Sequence, residues 1–322
     1  MKLTGRPHPF ALFRVSSPSS PGGEGISQEE PNYFLAWLQA ARPATLPAAF
    51  VPVVVGTAAA PGHGTLRPWS FLAALVAALL IQIGTNFAND LFDFQKGADT
   101  TERLGPRRIS QSGLVTLHQV ALATYFTFGL AVLVGLYLVA VSGWSILVVG
   151  ILSILCGVAY TGGPWPLGYH GLGDVFVFLF FGLVAVVGSA FVQTNTITPL
   201  AIAAAVPVGF LVTAILVVNN LRDIDTDHAA GKRTLAVRIG RSATRGQYAA
   251  LLMVSYLVPL GLWWLGWLGG MFWLPWLTLP LAASLIRTVG RADDGPSLNQ
   301  ALKRTGQLHL LFGVLFAVSM VF

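Results

Sequence analysis

A single cysteine, Cys156, stands in 322 residues, so no disulfide can close within the chain and the redox compartment goes unreported. Cys156 lies inside the apolar run "WSILVVGILSILCGVAY" and reads as packing against lipid or core, the usual habit of a free thiol. Charge is scarce as well. Asp, Glu, Lys and Arg make up 10% of the chain against 54% apolar residues, which excludes a large soluble core and fits an integral membrane protein of many spans. The first 33 residues lack any long apolar run. Their "RVSSPSSPGGEGISQEEPN" is too rich in Pro, Ser and Gly to bury a core, so a disordered tail is expected over residues 1–33 and a transmembrane domain over residues 34–322. "FALF" is too short for a signal-peptide core, and three glutamates speak against a transit peptide.

What the chain has in abundance is apolar length. A bilayer-crossing helix needs about 20 mostly apolar residues. Nine runs are candidates, near 45–61, 69–90, 119–142, 144–161, 174–193, 198–219, 247–268, 271–287 and 307–322, with Pro207, Pro259, Pro275 and Pro280 expected to kink their helices. The chain therefore reads as an all-α, multi-pass protein of nine transmembrane helices, with eight the rival count. Lys and Arg orient it. One set of connections, around 94–118, 162–173, 220–246 and 288–306 together with the tail, holds residues such as Lys96, Arg103, Arg222, Lys232 and Arg233, whereas the other set holds only Arg67. The N-terminus and every acidic cluster are thus expected on the cytoplasmic side of a cell's inner membrane, with the C-terminus outside. The basic excess is a topology signal, and it makes no case for nucleic acid.

Two acidic clusters interrupt this apolar chain. "NFANDLFDFQKGAD" spaces Asn86, Asp90 and Asp93 at i, i+4 and i+7, one face of a helix that continues the second span. "NNLRDIDTDHAAGKRTL" follows the sixth span and places Asn220, Asp223 and Asp227 at i, i+3 and i+7, with Asp225 on a different face. Each cluster closes an even-numbered span, four spans apart, a hint of an old duplication. A carboxylate at mid-membrane costs roughly 2.5 to 3.5 kcal/mol, so such residues are functional by default. Divalent cations relieve that cost. Oxygen-only ligands, without His or Cys at ligand spacing, favour magnesium over zinc, and magnesium leaves positions open for phosphate oxygens. Lys96 and Arg103 follow the first cluster, and Arg222, Lys232 and Arg233 surround the second. Cations beside metal-binding carboxylates suit a metal-bound diphosphate, whose remaining oxygens they take. Arg238, Arg241 and Arg245 are explained equally well by topology alone.

With these motifs the chain resembles the UbiA superfamily of intramembrane aromatic prenyltransferases, whose aspartate-rich motifs read close to N-x-x-x-D-x-x-D and D-x-x-x-D. Its blocks "NFANDLFDFQKGADTTERLGPRRISQSGLVT", "YTGGPWPLGYHGLGDVFVFLFFG" and "NNLRDIDTDHAAGKRTLAVRIG", with the opening "WLQAARPATLPAAFVPVVVGTA", look like those of the dihydroxynaphthoate prenyltransferases of menaquinone biosynthesis. The resemblance covers residues 35 to 290. It implies a nine-helix bundle with a central cavity under a cytoplasmic cap, open sideways to membrane lipid. It also implies the reaction: a polyprenyl diphosphate and 1,4-dihydroxy-2-naphthoate give demethylmenaquinone, losing diphosphate and carbon dioxide.

On that reading Asp90, Asp93, Asp223 and Asp227, assisted by Asn86 and Asn220, hold magnesium and promote departure of the diphosphate. Tyr160 is the first candidate to face the allylic cation, with Phe87 and Tyr169 behind it. Asp174 is expected to cap the fifth span's helix, and Trp263, Trp264, Trp267, Trp273 and Trp276 read as belt and packing at an outer interface. A cation-coupled transporter is the rival of another class, but its carboxylates belong near the midplane, away from basic loops. The D-G-x-x-A-R start of a CDP-alcohol phosphotransferase is absent. Other acceptors within the superfamily, and a phytyl donor, stay open on these residues.

Overall fold

Pro47, Pro68 and Pro199 sit in the first turns of helices, where a missing N–H leaves no bond unmade. Thr198, just before Pro199, accepts from the backbone N–H three residues on, and Thr116, Thr234 and Asp294 start three more helical stretches in the same way. The computed structural model describes residues 32–60, 66–97, 109 and 114–322, and among them the chain is helical without a strand. In order come α1 (Tyr33–Ala41), α2 (Pro47–Ala58), α3 (Pro68–Gln95), α4 (Leu117–Ser142), α5 (Ser145–Ala159), α6 (Gly173–Val177), α7 (Ala185–Thr194), α8 (Pro199–Arg222), α9 (Ile224–Ala229), α10 (Leu235–Trp264), α11 (Leu279–Arg291) and α12 (Gly295–Val321). A π-helical stretch, Phe178–Val184, joins α6 to α7 as one long rod. Of the tail expected over residues 1–33, all but the last two lie outside the described residues.

Six helices are long and apolar enough to cross a bilayer: α3, α4, the α6–α7 rod, α8, α10 and α12. A seventh is completed if α1 and α2, bent by 47°, count as one span. Three of the nine expected runs give shorter helices than the sequence suggests, and the run near 45–61 leaves α2 only 12 residues. α5 has 15 residues, and the run near 271–287 is divided by its prolines into a 3-10 turn, Leu274–Thr278, and a 13-residue α11. Pro207 and Pro259, by contrast, lie inside α8 and α10 without ending either helix. Gly240, at φ 78°, puts a kink near the start of α10 that only glycine adopts readily.

α8 is the central post. Fifteen of its 24 residues are buried, mostly Ala, Val, Gly and Leu, because helices in lipid associate through close packing of small side chains rather than by escaping water. Gly209 of α8 meets Gly182 of the π stretch so closely that a Cβ on Gly182 would stand 2.7 Å from the Gly209 Cα. The main core gathers α2, α7, α8, α10, α11 and α12. α5 is the opposite case: it packs on α3 and α4 and has no buried residue. The five tryptophans expected in a belt are all exposed, around the C-terminal end of α10 and the turns that follow.

Candidate active site

α3 runs without a break to Gln95, so Asn86, Asp90 and Asp93 do share one face, and it is an inward one: they are 4%, 1% and 2% exposed. Carboxylates so deeply buried need partners. Asp90 forms an ion pair with Arg42, which sits in the bend between α1 and α2 with a left-handed backbone, φ 52°. Asn86 donates its Nδ2 to the Ala41 carbonyl at 3.0 Å and to Thr45 Oγ1 at 3.2 Å, tying the same bend to α3. Asp93 accepts a 2.6 Å hydrogen bond from the Tyr169 hydroxyl and lies 3.4 Å from the Lys232 ammonium.

The second motif departs from a single helical face. α8 ends at Arg222 and α9 starts at Ile224, with Asp223 at the junction (φ −96°, ψ 8°). Asn220 is buried on α8, while Asp223 and Asp227 are half-buried beyond it. Arg222 holds Asp223 with two hydrogen bonds, of 2.7 and 2.5 Å, and reaches Asn299 of α12 at 2.6 Å and Asn219 at 3.0 Å. Its guanidinium, expected at a diphosphate, is engaged in this seam at 3% exposure. Asp225 points outward to Arg241 at 2.7 Å, as its different face implied.

Lys232 N–H donates to the Asp227 carbonyl at 2.8 Å, a turn that carries the lysine back over α3. Its ammonium stands 4.7 Å from the Tyr169 ring centre, and that of Lys96 stands 5.1 Å from the same ring. Lys96 also donates to the Thr161 carbonyl at 2.7 Å. Partial burial lowers the Lys96 pKa, and Lys232 pushes it the same way against the opposing pull of Asp93. Two ammoniums sharing one ring and one carboxylate form a patch that a further anion would relieve. Arg233 is exposed and contributes its backbone N–H to the Tyr169 carbonyl, 2.9 Å. Arg103 lies outside the described residues.

Beneath this charged group opens a cavity of about 480 Å³, lined almost wholly by apolar side chains of α2 to α5, the α6–α7 rod and α8. Tyr160, at the end of α5, lines its upper part, flanked by Gly168 and by Gly173, where a Cβ would stand 2.8 Å from the Tyr160 hydroxyl. Val132, Leu136, Leu147 and Ile151 line the cavity and are also exposed, so it reaches the outer surface of α4 and α5. Val53, Ala74, Leu138 and Val192 form a small buried cluster that also lines the cavity.

Three expectations need correction here. Phe87 packs edge-on against Trp37, centroids 5.5 Å apart, away from the cavity. Asp174 does not cap α6; it accepts a 2.6 Å bond from Gln247 of α10. Cys156 faces the cavity rather than lipid or core. Two residues went unread: Arg42, a lone charge in "ARPATLP", and Asn89, which accepts a 2.8 Å bond from Thr161. The available signal was Gln82, Asn86 and Asn89 at i, i+4 and i+7 in an otherwise apolar span.

Among the described residues no three of His, Cys, Asp or Glu converge as a self-sufficient metal cage. The carboxylates come instead in ones and twos with amide oxygens nearby, a donor set that fits magnesium completing its shell with water and phosphate.

The family model described as "UbiA prenyltransferase family" matches residues 49–318. The chain belongs to this family. It is 42% identical to the 1,4-dihydroxy-2-naphthoate octaprenyltransferase of Escherichia coli (strain K12) over 290 residues, 88% of this chain and 94% of that one. Enzymes of the same name from Bacillus subtilis (strain 168) and Mycobacterium tuberculosis are 34% and 38% identical, over 93% and 90% of this chain and 96% and 98% of their own. The fold matches a UbiA homologue from Archaeoglobus fulgidus bound to DMAPP and Mg2+, with a TM-score of 0.64 at 15% identity, covering 89% of this chain and 99% of that one.

Proposed function

We propose that this UbiA-family chain is an intramembrane aromatic prenyltransferase, which joins the polyprenyl group of a polyprenyl diphosphate to 1,4-dihydroxy-2-naphthoate and releases diphosphate and carbon dioxide on the way to demethylmenaquinone. The observation that carries this reading is a lysine- and aspartate-lined mouth above an apolar cavity of about 480 Å³. One end suits a diphosphate and the other a hydrocarbon. Relatives named for this reaction, 34–42% identical over nearly their full lengths, support the acceptor.

Asp93 and Asp90, with Asn86, would hold magnesium on one side, and Asp223 and Asp227, with Asn220, on the other. Bound magnesium supplies Lewis-acid stabilisation of the leaving diphosphate. The Lys232 ammonium beside Asp93 and the Arg42 guanidinium beside Asp90 would be placed to take diphosphate oxygens. Lys96, beside the same tyrosine, takes a further oxygen. Tyr160 turns its ring toward the allylic carbon, where an aromatic face stabilises positive charge, and the apolar walls below keep water from the cation. We read nine crossings from the apolar runs, two of them made by the short α5 and α11, and the distribution of Lys and Arg supports a cytoplasmic N-terminus and site with the C-terminus outside an inner membrane. In this arrangement the Leu167–His170 turn and α9 form a cytoplasmic cap.

The test is product analysis by mass spectrometry. Purified protein in lipid, given 1,4-dihydroxy-2-naphthoate and a polyprenyl diphosphate, is expected to form a prenylated quinone lacking the carboxyl group with magnesium, and none with EDTA. Product with hydroxybenzoate or homogentisate alone would discard the naphthoate, and silence with every acceptor would discard the transferase reading. A smaller effect is expected at Tyr169. Tyr169→Phe keeps the ring under both ammoniums but loses the bond to Asp93, raising the KM for the diphosphate roughly tenfold, the worth of one charge-assisted hydrogen bond. Tyr169→Leu removes the ring too and adds about fivefold more. Equal KM values for both variants and the wild type would detach the lysine pair from the donor.

A further inference from the structure

The wall that α3 gives the cavity changes character along its length. Ala74, Ala77 and Ala78 line the deeper part, while Gln82, Thr85 and Asn86 line the part next to the aspartates. Threonines in the middle of other helices, such as Thr124, Thr127, Thr213 and Thr305, return their hydroxyls to the carbonyl four residues back. Thr85 does not. Its hydroxyl makes no hydrogen bond among the described residues and is not sealed from the cavity. One turn below, Gln82 donates its Nε2 to Thr45 at 3.1 Å, which leaves its carbonyl oxygen as an acceptor on the same wall. Gln82 is 8% exposed, and polar atoms this enclosed are nearly always hydrogen-bonded. Two such oxygens one helical turn apart mark where the polar atoms of a ligand go.

The same wall excludes a charged grip. Among the described residues no Lys, Arg, His, Asp or Glu lines the cavity, so recognition there is by neutral hydrogen bonds. Across from Thr85 is Gly157 of α5, where a Cβ would stand 2.6 Å from the threonine hydroxyl. Its missing side chain lets α5 approach α3 to within contact of that hydroxyl, so a ring paired with Thr85 lies beside this helix contact, in the cavity that both residues line. Asp90 lies five residues further along α3, about 7.5 Å by helical rise and roughly 140° around the helix, so a ring at Thr85 lies deeper than the aspartates and on the neighbouring face, where Asn86 and Asn89 also line the cavity. An aromatic carbon must approach the allylic carbon to about 3–3.5 Å for attack, which favours an acceptor at this polar level over one among the alanines below.

We propose that Thr85 and Gln82 are the residues that hold the ring hydroxyls of the aromatic acceptor: the Gln82 carbonyl accepts from one, and the Thr85 hydroxyl pairs with the other. The assignment rests on the naphthoate reading above and makes these two side chains determinants of acceptor choice. The experiment is a cycle of variants against ligands. Wild type, Thr85→Val, Thr85→Ser and Gln82→Met in lipid nanodiscs, with magnesium and inorganic diphosphate present, are titrated calorimetrically with 1,4-dihydroxy-2-naphthoate and with 1-hydroxy-2-naphthoate, which lacks the 4-hydroxyl.

Thr85→Val and Gln82→Met are each expected to weaken binding of the dihydroxy ligand about three- to tenfold, the range of one neutral hydrogen bond, and Thr85→Ser to restore it. One of the two weakenings is expected to vanish with the ligand that lacks a hydroxyl, while the KM for the polyprenyl diphosphate stays unchanged in every variant. Equal losses with both ligands, or no loss, would overturn the inference, because they would reflect packing or a ring bound elsewhere. A wild-type protein that binds neither naphthoate, yet turns over another aromatic, would instead overturn the acceptor reading itself.

Discussion

Asp93→Asn is expected to lower kcat by about a thousandfold, the scale seen when a single electrostatic contact to developing charge is removed, while the protein remains folded. Asp93 is 2% exposed and joins the two motifs: it accepts from Tyr169 at 2.6 Å and neighbours Lys232 at 3.4 Å. The amide keeps the shape and can still accept the tyrosine's hydrogen bond, so packing is preserved. What disappears is the negative charge that opposes two ammoniums and that, on the proposed reading, holds magnesium. Lys96 is exposed and Lys232 only half-buried, so water can take over their solvation and neither is left as a stranded buried charge. Melting in detergent and single-turnover rates check both halves. A variant with normal rates would remove the α3 carboxylate from the reacting site.

Asp223→Asn is expected to act differently, lowering stability by about 3 kcal/mol as well as abolishing turnover. Arg222 beside it is 3% exposed and donates two hydrogen bonds to the Asp223 carboxylate. Breaking a buried pair from one side leaves an uncompensated charge, the costly case. Asn219 and Asn299 still bind the guanidinium and moderate the loss without cancelling it. Equilibrium unfolding in mixed micelles checks the size, and a paired Arg222→Gln change is expected to restore much of the stability but none of the activity. Wild-type stability in Asp223→Asn would mean that Arg222 holds its place without the carboxylate. The two motifs, alike in sequence, thus differ in what their aspartates support.

That difference was beyond the reach of residue spacing. The helical period correctly aligned Asn86, Asp90 and Asp93, because α3 runs through all three without a break. The same logic failed to align Asn220, Asp223 and Asp227, because the chain leaves the helix at Asp223, where no Gly or Pro announces an end. The Arg42–Asp90 pair joins residues 48 positions apart and depends on a left-handed arginine in a bent connection, a geometry that no local pattern encodes. Asp174 looked like a cap because it stands near a helix start; its true partner, Gln247, is 73 residues away. Apolar length located the long helices well. It overstated α5 and α11, since an apolar run shows that a segment prefers lipid and does not show where its helix stops.

The shortness of α5 reaches beyond the fold. Its 15 residues span about 22 Å by helical rise, against a hydrocarbon layer of about 30 Å. A helix that lines the cavity, buries none of its own residues and falls short of the bilayer leaves the lipid to thin around it. Where the cavity reaches the outer surface at Val132, Leu136, Leu147 and Ile151, acyl chains of a host membrane would border it, and a thicker bilayer would press on this short helix more than on its longer neighbours.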